Sequence, residues 1–127
     1  MAYHLTKISD RSFDDTLAAV TRALGEQGFG VLTEIDVRAT LEKKLDVEFR
    51  PYKILGACNP EFAHRALQLE DKVGTMLPCN VVVQEKDGLV EVSAVDPLAS
   101  MQAISNPALA EIARQVRDRL GKVIDTI

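Results

Sequence analysis

The residues with the most reactive side chains lie in two short segments that each carry a cysteine–asparagine pair beside a proline. The first segment runs from Gly56 to Pro60 and the second from Leu77 to Asn80. A thiol can act as a nucleophile, a redox group or a metal ligand, and an asparagine amide both donates and accepts hydrogen bonds. A ligand-binding site is therefore expected around Cys58, Asn59, Pro78, Cys79 and Asn80.

Cys58 directly precedes Asn59-Pro60, a pair typical of a helix start, with asparagine as the N-cap and proline as the first helical residue. The thiol would then lie near the unpaired amide groups of the first turn, where positive potential favours a reactive thiolate. The alternative is a small buried side chain in a tight junction, since buried thiols are usually inert. The same two alternatives apply to Cys79, which opens a run of valines.

His64 is a further candidate, because with Cys58 and Cys79 it supplies enough ligands for a catalytic-style zinc site. The spacing of the three residues matches no short zinc motif. At about 100° per residue, His64 falls on the side of its helix away from the apolar stripe. It is therefore expected to face solvent or a partner chain, which argues against a Cys–His nucleophilic pair. A metal ion stays one alternative ligand of the site.

Whether the two thiols approach each other depends on residues 71–78, which show no regular pattern. The helix that follows Asn59 spans about eleven residues, so it carries the chain roughly 16 Å away from Cys58. An extended stretch over 71–78 is long enough to return, since it covers about 3.3 Å per residue. If the chain returns, both Cys-Asn pairs lie at the same end of the sheet; if it does not, they lie at opposite ends.

Composition and charge exclude several classes of protein. Of 127 residues, 46% are hydrophobic and 27% charged, which excludes disordered, collagen-like and disulfide-scaffold chains. The net charge of −4 gives no long-range attraction to phosphates, so no nucleic-acid partner is expected. No apolar run approaches the ~20 residues that cross a bilayer, and no secretory signal pattern is present. We therefore expect no membrane association and a cytoplasmic location. No phosphate-binding glycine loop or nucleophile elbow is present.

Hydrophobic periodicity and turn residues predict a mixed order of strands and helices. Strands are predicted over residues 3–8, 31–35, 52–57, 79–85 and 89–95, with the hairpin pair Asp87-Gly88 joining the last two. Two long helices are predicted over 13–27 and after Asn106, and two short ones after Asp36 and after Asn59. The hairpin makes the sheet at least partly antiparallel, and the amphipathic helices need a sheet face to cover. The pattern predicts an α+β two-layer sandwich that forms a single domain over residues 1–127.

The two Cys-Asn stretches also resemble those of a known family. Residues 49–60 read FRPYKILGACNP, and residues 73–83 read VGTMLPCNVVV, with Val95-Asp96-Pro97 further on. These stretches are similar to the hallmark segments of the domain-of-unknown-function family numbered 302, and the element order matches over nearly the whole chain. The resemblance implies a small α+β domain with a curved, mainly antiparallel sheet and helices packed on it, often seen as a homodimer. It implies no activity.

Three hypotheses of function follow from these features. The favoured one is a homodimeric binding module with a site for a small molecule or metal ion around the two Cys-Asn segments. The first alternative is a thiol-dependent enzyme or redox sensor that uses Cys58 or Cys79, and the second is a structural or protein-interaction domain without chemistry. Apolar residues near the C-terminus, Val123, Ile124 and Ile127, need a cover, which either a partner subunit or the sheet of the same chain supplies.

Overall fold

Five β-strands form one antiparallel sheet in the computed structural model, which describes residues 2–127. The strands are β1 (His4–Ser9), β2 (Gly30–Asp36), β3 (Tyr52–Cys58), β4 (Cys79–Lys86) and β5 (Leu89–Val95). They lie side by side in the order β1-β5-β4-β3-β2, so β1 and β2 form the two edges. The predicted five-stranded, mainly antiparallel sheet is confirmed.

Within residues 2–127 the chain also forms five α-helices: α1 (Phe13–Glu26), α2 (Val37–Leu45), α3 (Pro60–Leu69), α4 (Pro97–Ser100) and α5 (Pro107–Thr126). The side chains of Ser12 and Asn106 accept hydrogen bonds from amides of the first turn and so cap α1 and α5, which begin where the sequence predicted. None of the helices in this part of the chain is long and apolar enough to span a membrane.

The main core lies between the sheet and the helices. Alternate residues of the three central strands point toward α1 and α5 and are almost fully buried: Leu55, Ala57, Val81, Val83, Val92 and Ala94. The apolar stripe of α5 covers them, because seven of its side chains, spaced at helical intervals, are buried. The sandwich of one sheet and one helical layer is therefore confirmed. The sheet face that points away from the helices is called the open face below.

A second, smaller apolar cluster lies beside the main core. Ala66, Val73 and Leu109 are its buried members, and Leu77 and Met101 pack against them. At the far end of α5, Val123 and Ile124 are buried in the main core, with Ile127 packed against it. The same chain therefore supplies the cover that these C-terminal residues need.

Two segments differ from the sequence prediction. Residues 71–76 form a 3-10 helix, where the sequence indicated no regular structure. The Asp96-Pro97 pair ends β5 as predicted, but it also begins α4, which the sequence did not reveal. Asp96 is buried. Its carboxylate is satisfied there, because it accepts hydrogen bonds from the amide of Leu98 and, at 2.9 Å, from Nε of Arg117. The role of Asp96 is thus structural. With α4, the structure has three short α-helices where the sequence predicted two.

Candidate functional site

Antiparallel pairing of β3 with β4 brings the two Cys-Asn segments to the same end of the sheet. Ala57 lies opposite Cys79, and Gly56 lies opposite Asn80. Cys58 is the last residue of β3 and Cys79 is the first of β4, so the two thiols occur at neighbouring strand ends. Residues 71–78 therefore return the chain toward β3, which was one of the two arrangements that the sequence left open.

A narrow cleft of about 30 Å³ lies at this end of the sheet, between α3 and α5. We call it the thiol cleft, because Cys58 and Cys79 line it together with Asn59 and Pro78. The remaining wall is apolar: Phe29, Ala57, Phe62, Ala63, Ala66, Leu77, Pro97, Met101, Ile112, Ala113 and Val116. Some of these side chains belong to the main core and others to the second cluster, so the cleft lies where the two clusters meet.

The two thiols of the cleft differ in their surroundings. Both cysteines are free. Cys79 is only 7% exposed, and burial raises the pKa of its thiol to about 11, with a smaller contribution from the nearby Cys58 thiol. Cys79 is therefore protonated and unreactive at neutral pH, which favours the inert interpretation for this residue. Cys58 is half-buried at the end of β3, so a thiol function would depend on Cys58.

Asn59 has a structural role in addition to its place on the cleft wall. Its Oδ1 accepts a hydrogen bond of 3.4 Å from the backbone amide of Phe62, which makes Asn59 the N-cap of α3. Pro60 follows as the first helical residue, as the sequence predicted. The cap ties the first turn of α3 to the end of β3, so it positions Phe62 and Ala63 against the cleft.

Asn80 lies on the other side of the sheet from the thiol cleft. Consecutive residues of a strand point to opposite faces, so Cys79 faces the helices and Asn80 faces the open side. There Asn80 helps to form a wider depression of about 300 Å³, called the open-face concavity. It is lined by Tyr3, His4, Tyr52, Asn80, Val82, Gln84, Glu91, Ser93, Ala94 and Val95. Four of the five expected ligand-binding residues thus share one cleft, and Asn80 does not.

The three residues considered as metal ligands are not assembled. His64 is exposed on α3, as its helical position predicted, and it does not line the thiol cleft with Cys58 and Cys79. Across residues 2–127, no group of three or more His, Cys, Asp and Glu side chains is arranged to hold a metal ion. The geometry therefore gives no support to a site built from these three residues.

The sequence of the chain matches the profile of a known protein family. The profile described as "Domain of unknown function DUF302" matches residues 5–127, which is nearly the whole chain. The chain belongs to the DUF302 family. The resemblance seen in the two Cys-Asn stretches is thereby confirmed, and the family description carries no activity.

A solved structure of the same family has the same architecture. It is described as the "Crystal structure of uncharacterized conserved protein DUF302 from Bacillus stearothermophilus" and is 31% identical in sequence to this DUF302 chain. The similarity covers 99% of this chain and 98% of that one, with a TM-score of 0.94. No curated protein matches the chain. The comparisons therefore establish the family and the fold.

The open-face concavity was not predicted from the sequence, in which no pattern assigned a role to His4, Gln84, Glu91 or Ser93. A signal was present, since Asn80 and Gln84 in β4 and Glu91 and Ser93 in β5 occupy alternate positions opposite the valines. Period-two placement puts all four side chains on one face. Their convergence with β1 was not predictable, because it depends on the strand order.

Proposed function

We propose that this DUF302 chain is a single-domain cytoplasmic module that binds a small apolar ligand in the thiol cleft. The observation that supports the proposal is the convergence of Cys58, Asn59, Pro78 and Cys79 on one apolar cleft. Small-molecule sites are typically concave and mostly apolar, with a few polar groups that orient the ligand. In this cleft the polar groups are two thiols and one amide, so the ligand is held mainly by apolar contact.

The cleft is small, so a ligand must move part of its wall. A volume of about 30 Å³ is close to the share of one water molecule in the liquid. Leu77 and Met101 lie outside the sheet and the long helices, and both are half-buried. Methionine has three rotatable bonds and adapts to irregular gaps, so outward rotation of Met101 widens the cleft without disturbing the sheet. The expected ligand is a small apolar molecule or the apolar end of a larger one.

Benzene tests the proposal, because it occupies dry apolar cavities in proteins. We expect millimolar benzene to shift the backbone amide signals of Ala57 and Cys79 in ¹H–¹⁵N NMR spectra. The Met101→Ala substitution enlarges the cleft and should tighten benzene binding by about tenfold, equivalent to ~1.4 kcal/mol. The Ala63→Leu substitution places new atoms in the cleft and should abolish the shifts.

The matched control is Ala110→Leu, which adds the same atoms to an exposed position on α5 and should leave benzene binding unchanged. Absence of benzene-induced shifts in both the wild type and Met101→Ala would contradict the proposal. Labelling of Cys58 by a thiol reagent, with and without a chelator, separates the metal alternative. If Cys58 reacts with the reagent only after the chelator is added, the cleft binds a metal ion and not an apolar ligand.

We further infer that two copies of the chain associate through strand β2 and helix α2. The outer edge of β2 has no neighbouring strand in the sheet. Leu32 is 68% exposed on this strand, and Leu45 is 65% exposed on α2. No side chain of the nine-residue α2 is buried, although short helices gain most of their stability from packing. A twofold axis beside β2 would pair this edge with its own copy and cover both leucines.

The oligomeric state of two variants tests this association. We expect light scattering to give the wild type a mass twice 13.9 kDa, and Leu32→Lys to give a monomer, because it places a charge at the centre of the interface. The control is Leu89→Lys, since Leu89 is 54% exposed at the β4–β5 hairpin, away from β2. A wild-type monomer, or a dimer that persists in Leu32→Lys, would contradict the inference.

A further inference from the structure

The open-face concavity is formed by side chains that the strand register aligns in rows. Across β4, β5 and β1, the first row contains Val82, Ser93 and Thr6. In the next row, toward the start of β4, His4 lies opposite Val95, and extending the β4–β5 register by one residue places Asn80 beside Val95. Side chains that lie opposite each other on the same face of adjacent strands are close enough for direct contact. The apolar side chains Val82 and Val95 thus form part of a floor that polar groups surround.

A chain of hydrogen bonds connects four polar side chains of this face. Nδ1 of His4 contacts Oγ1 of Thr6, Oγ1 of Thr6 lies 2.9 Å from Oγ of Ser93, and Oγ of Ser93 donates to Oε1 of Glu91 at 3.4 Å. An ionised carboxylate only accepts, so the direction of the whole chain is determined. Ser93 donates to Glu91, Thr6 donates to Ser93, and Nδ1–H of His4 donates to Thr6. In the neutral ring, Nε2 of His4 is then an acceptor.

The side-chain amides of Gln84 and Asn80 add hydrogen-bond donors to the concavity. Oε1 of Gln84 accepts a hydrogen bond of 2.8 Å from Nε of Arg50, so the side-chain NH₂ of Gln84 is left to donate to a ligand. The side chain of Asn80 makes no hydrogen bond within the described residues 2–127, and it offers one acceptor and one NH₂ group. These two amides and the free oxygen of Glu91 therefore present hydrogen-bond donors and acceptors side by side in the concavity.

Two tyrosines and the local charges narrow the class of ligand further. Tyr3 and Tyr52 line the concavity, and each offers an apolar ring with a hydroxyl group at its edge. The guanidinium of Arg50 lies 5.6 Å from the ring centroid of Tyr52, and its Nε donates to Gln84, the residue opposite Glu91 in the sheet. One basic and one acidic side chain therefore flank the same part of the concavity, which favours a neutral ligand over an organic cation or an anion.

We propose that the open-face concavity binds a small neutral polyhydroxy molecule, a monosaccharide or a cyclic polyol. Each hydroxyl group both donates and accepts, so adjacent hydroxyls satisfy the neighbouring acceptors and donors of Glu91, His4, Asn80 and Gln84 at once. The carbon face of the ring packs on Val82 and a tyrosine. The volume of about 300 Å³ lies at the lower end of the range for small-molecule sites. This site is separate from the thiol cleft.

Titration of the wild-type protein with defined probes tests the proposal. The polyhydroxy probes are D-glucose, D-galactose and myo-inositol, and the cationic comparison probes are putrescine and choline. We expect at least one polyhydroxy probe to shift the amide signals of Asn80, Val82 and Ser93 in ¹H–¹⁵N spectra. Asn80→Ala and Glu91→Ala should each weaken this binding by about tenfold, the effect of losing one ligand hydrogen bond. The control is Gln68→Ala, an exposed amide on α3, which should bind as the wild type does.

Three outcomes would overturn the proposal. The first is that none of the polyhydroxy probes shifts these signals at high millimolar concentration. The second is binding of putrescine or choline without binding of the sugars, which would assign the concavity to a cation. The third is sugar binding that both Asn80→Ala and Glu91→Ala leave unchanged. Both residues lie outside the two apolar clusters, so the variants are expected to fold. The benzene experiment probes the opposite face, so either proposal can fail without the other.

Discussion

Raising the pH from 9 to 11 is expected to lower the free energy of unfolding by about 2 kcal/mol through one buried thiol. Burial, together with the nearby Cys58 thiol, raises the pKa of Cys79 from an ordinary 9.0 to about 11 in the folded protein. Each pKa unit corresponds to about 1.4 kcal/mol of stability when folded and unfolded states differ. Cys79 is 7% exposed, so little of this effect is screened by solvent.

The sign of the effect follows from proton binding. Between pH 9 and 11 the unfolded chain releases the Cys79 proton, whereas the folded protein retains it. Stability from this group is therefore fully present below pH 9 and is lost as the pH rises toward 11. Urea unfolding in the presence of a reductant, followed at pH 8 and near pH 11, measures the change. Lysines and tyrosines also titrate in this range, so the comparison with a variant is essential.

Cys79→Ala is that variant, because it removes the titrating group and keeps every other one. Its unfolding free energy should fall less between pH 8 and 11 than that of the wild type, by the same ~2 kcal/mol. Cys58→Ala keeps the buried thiol and should retain a steep dependence. An equal pH dependence of the wild type and Cys79→Ala would show that the Cys79 thiol ionises freely in the folded state.

The same pair of variants tests the thiol-dependent alternative. With a pKa of about 11, roughly one Cys79 thiol in a thousand is ionised at pH 8. We therefore expect the cysteine that remains in Cys58→Ala to react with iodoacetamide far more slowly than the one that remains in Cys79→Ala. Fast labelling of Cys79 in the folded protein would revive a catalytic or redox role for this residue.

Gly56→Ala is expected to destabilise the protein by about 2 kcal/mol, because no space exists for a methyl group at this position of β3. A Cβ atom there would meet Oγ1 of Thr33 in β2 and would lie 2.8 Å from Cγ of Pro78. The pyrrolidine ring of Pro78 is rigid, so it cannot rotate away from the new methyl group. The methyl group must therefore displace the chain that leads into β4. Thermal or urea unfolding measures the loss.

Gly121→Ala is the matched control, since nothing lies within 4 Å of a Cβ atom at that position. Gly121 is inside α5, where alanine is a better helix former by roughly 1 kcal/mol, so this substitution should stabilise the protein. Combining Gly56→Ala with Thr33→Ala removes one of the two contacts and should recover part of the loss. If Gly56→Ala were as stable as the wild type, the close packing of β2, β3 and Pro78 would be disproved.

Local features of this fold were readable from the sequence because short-range chemistry determines them. Asp87 and Gly88 both have positive φ, as the tight hairpin between β4 and β5 requires, and the Asn59-Pro60 pair begins α3. The length of α5 followed from its apolar spacing. In contrast, the 3-10 helix at residues 71–76 lacks such a pattern. The position of β1 beside β5 was not readable, because it pairs residues that are distant in the chain.

The candidate site was only partly predictable for a related reason. The similar composition of the two Cys-Asn segments suggested one shared site. In Cys79-Asn80, however, both residues belong to a strand, so their side chains point to opposite faces. In Cys58-Asn59, the strand ends at Cys58, and Asn59 is the N-cap of α3. The same dipeptide therefore serves one cleft in the first segment and two different surfaces in the second.

The edge position of β1 has a consequence for synthesis and refolding. Strand β1 is synthesised before the other four strands of the sheet, yet it pairs only with the last of them, β5, with His4 opposite Val95 and Ser9 opposite Val90. Until β5 has been synthesised, β1 has no neighbour in the sheet, and α5 cannot complete the core. Contacts that close such long loops slow folding. Nascent chains that end before Val95 are therefore expected to stay open to proteases at their N-terminal strand.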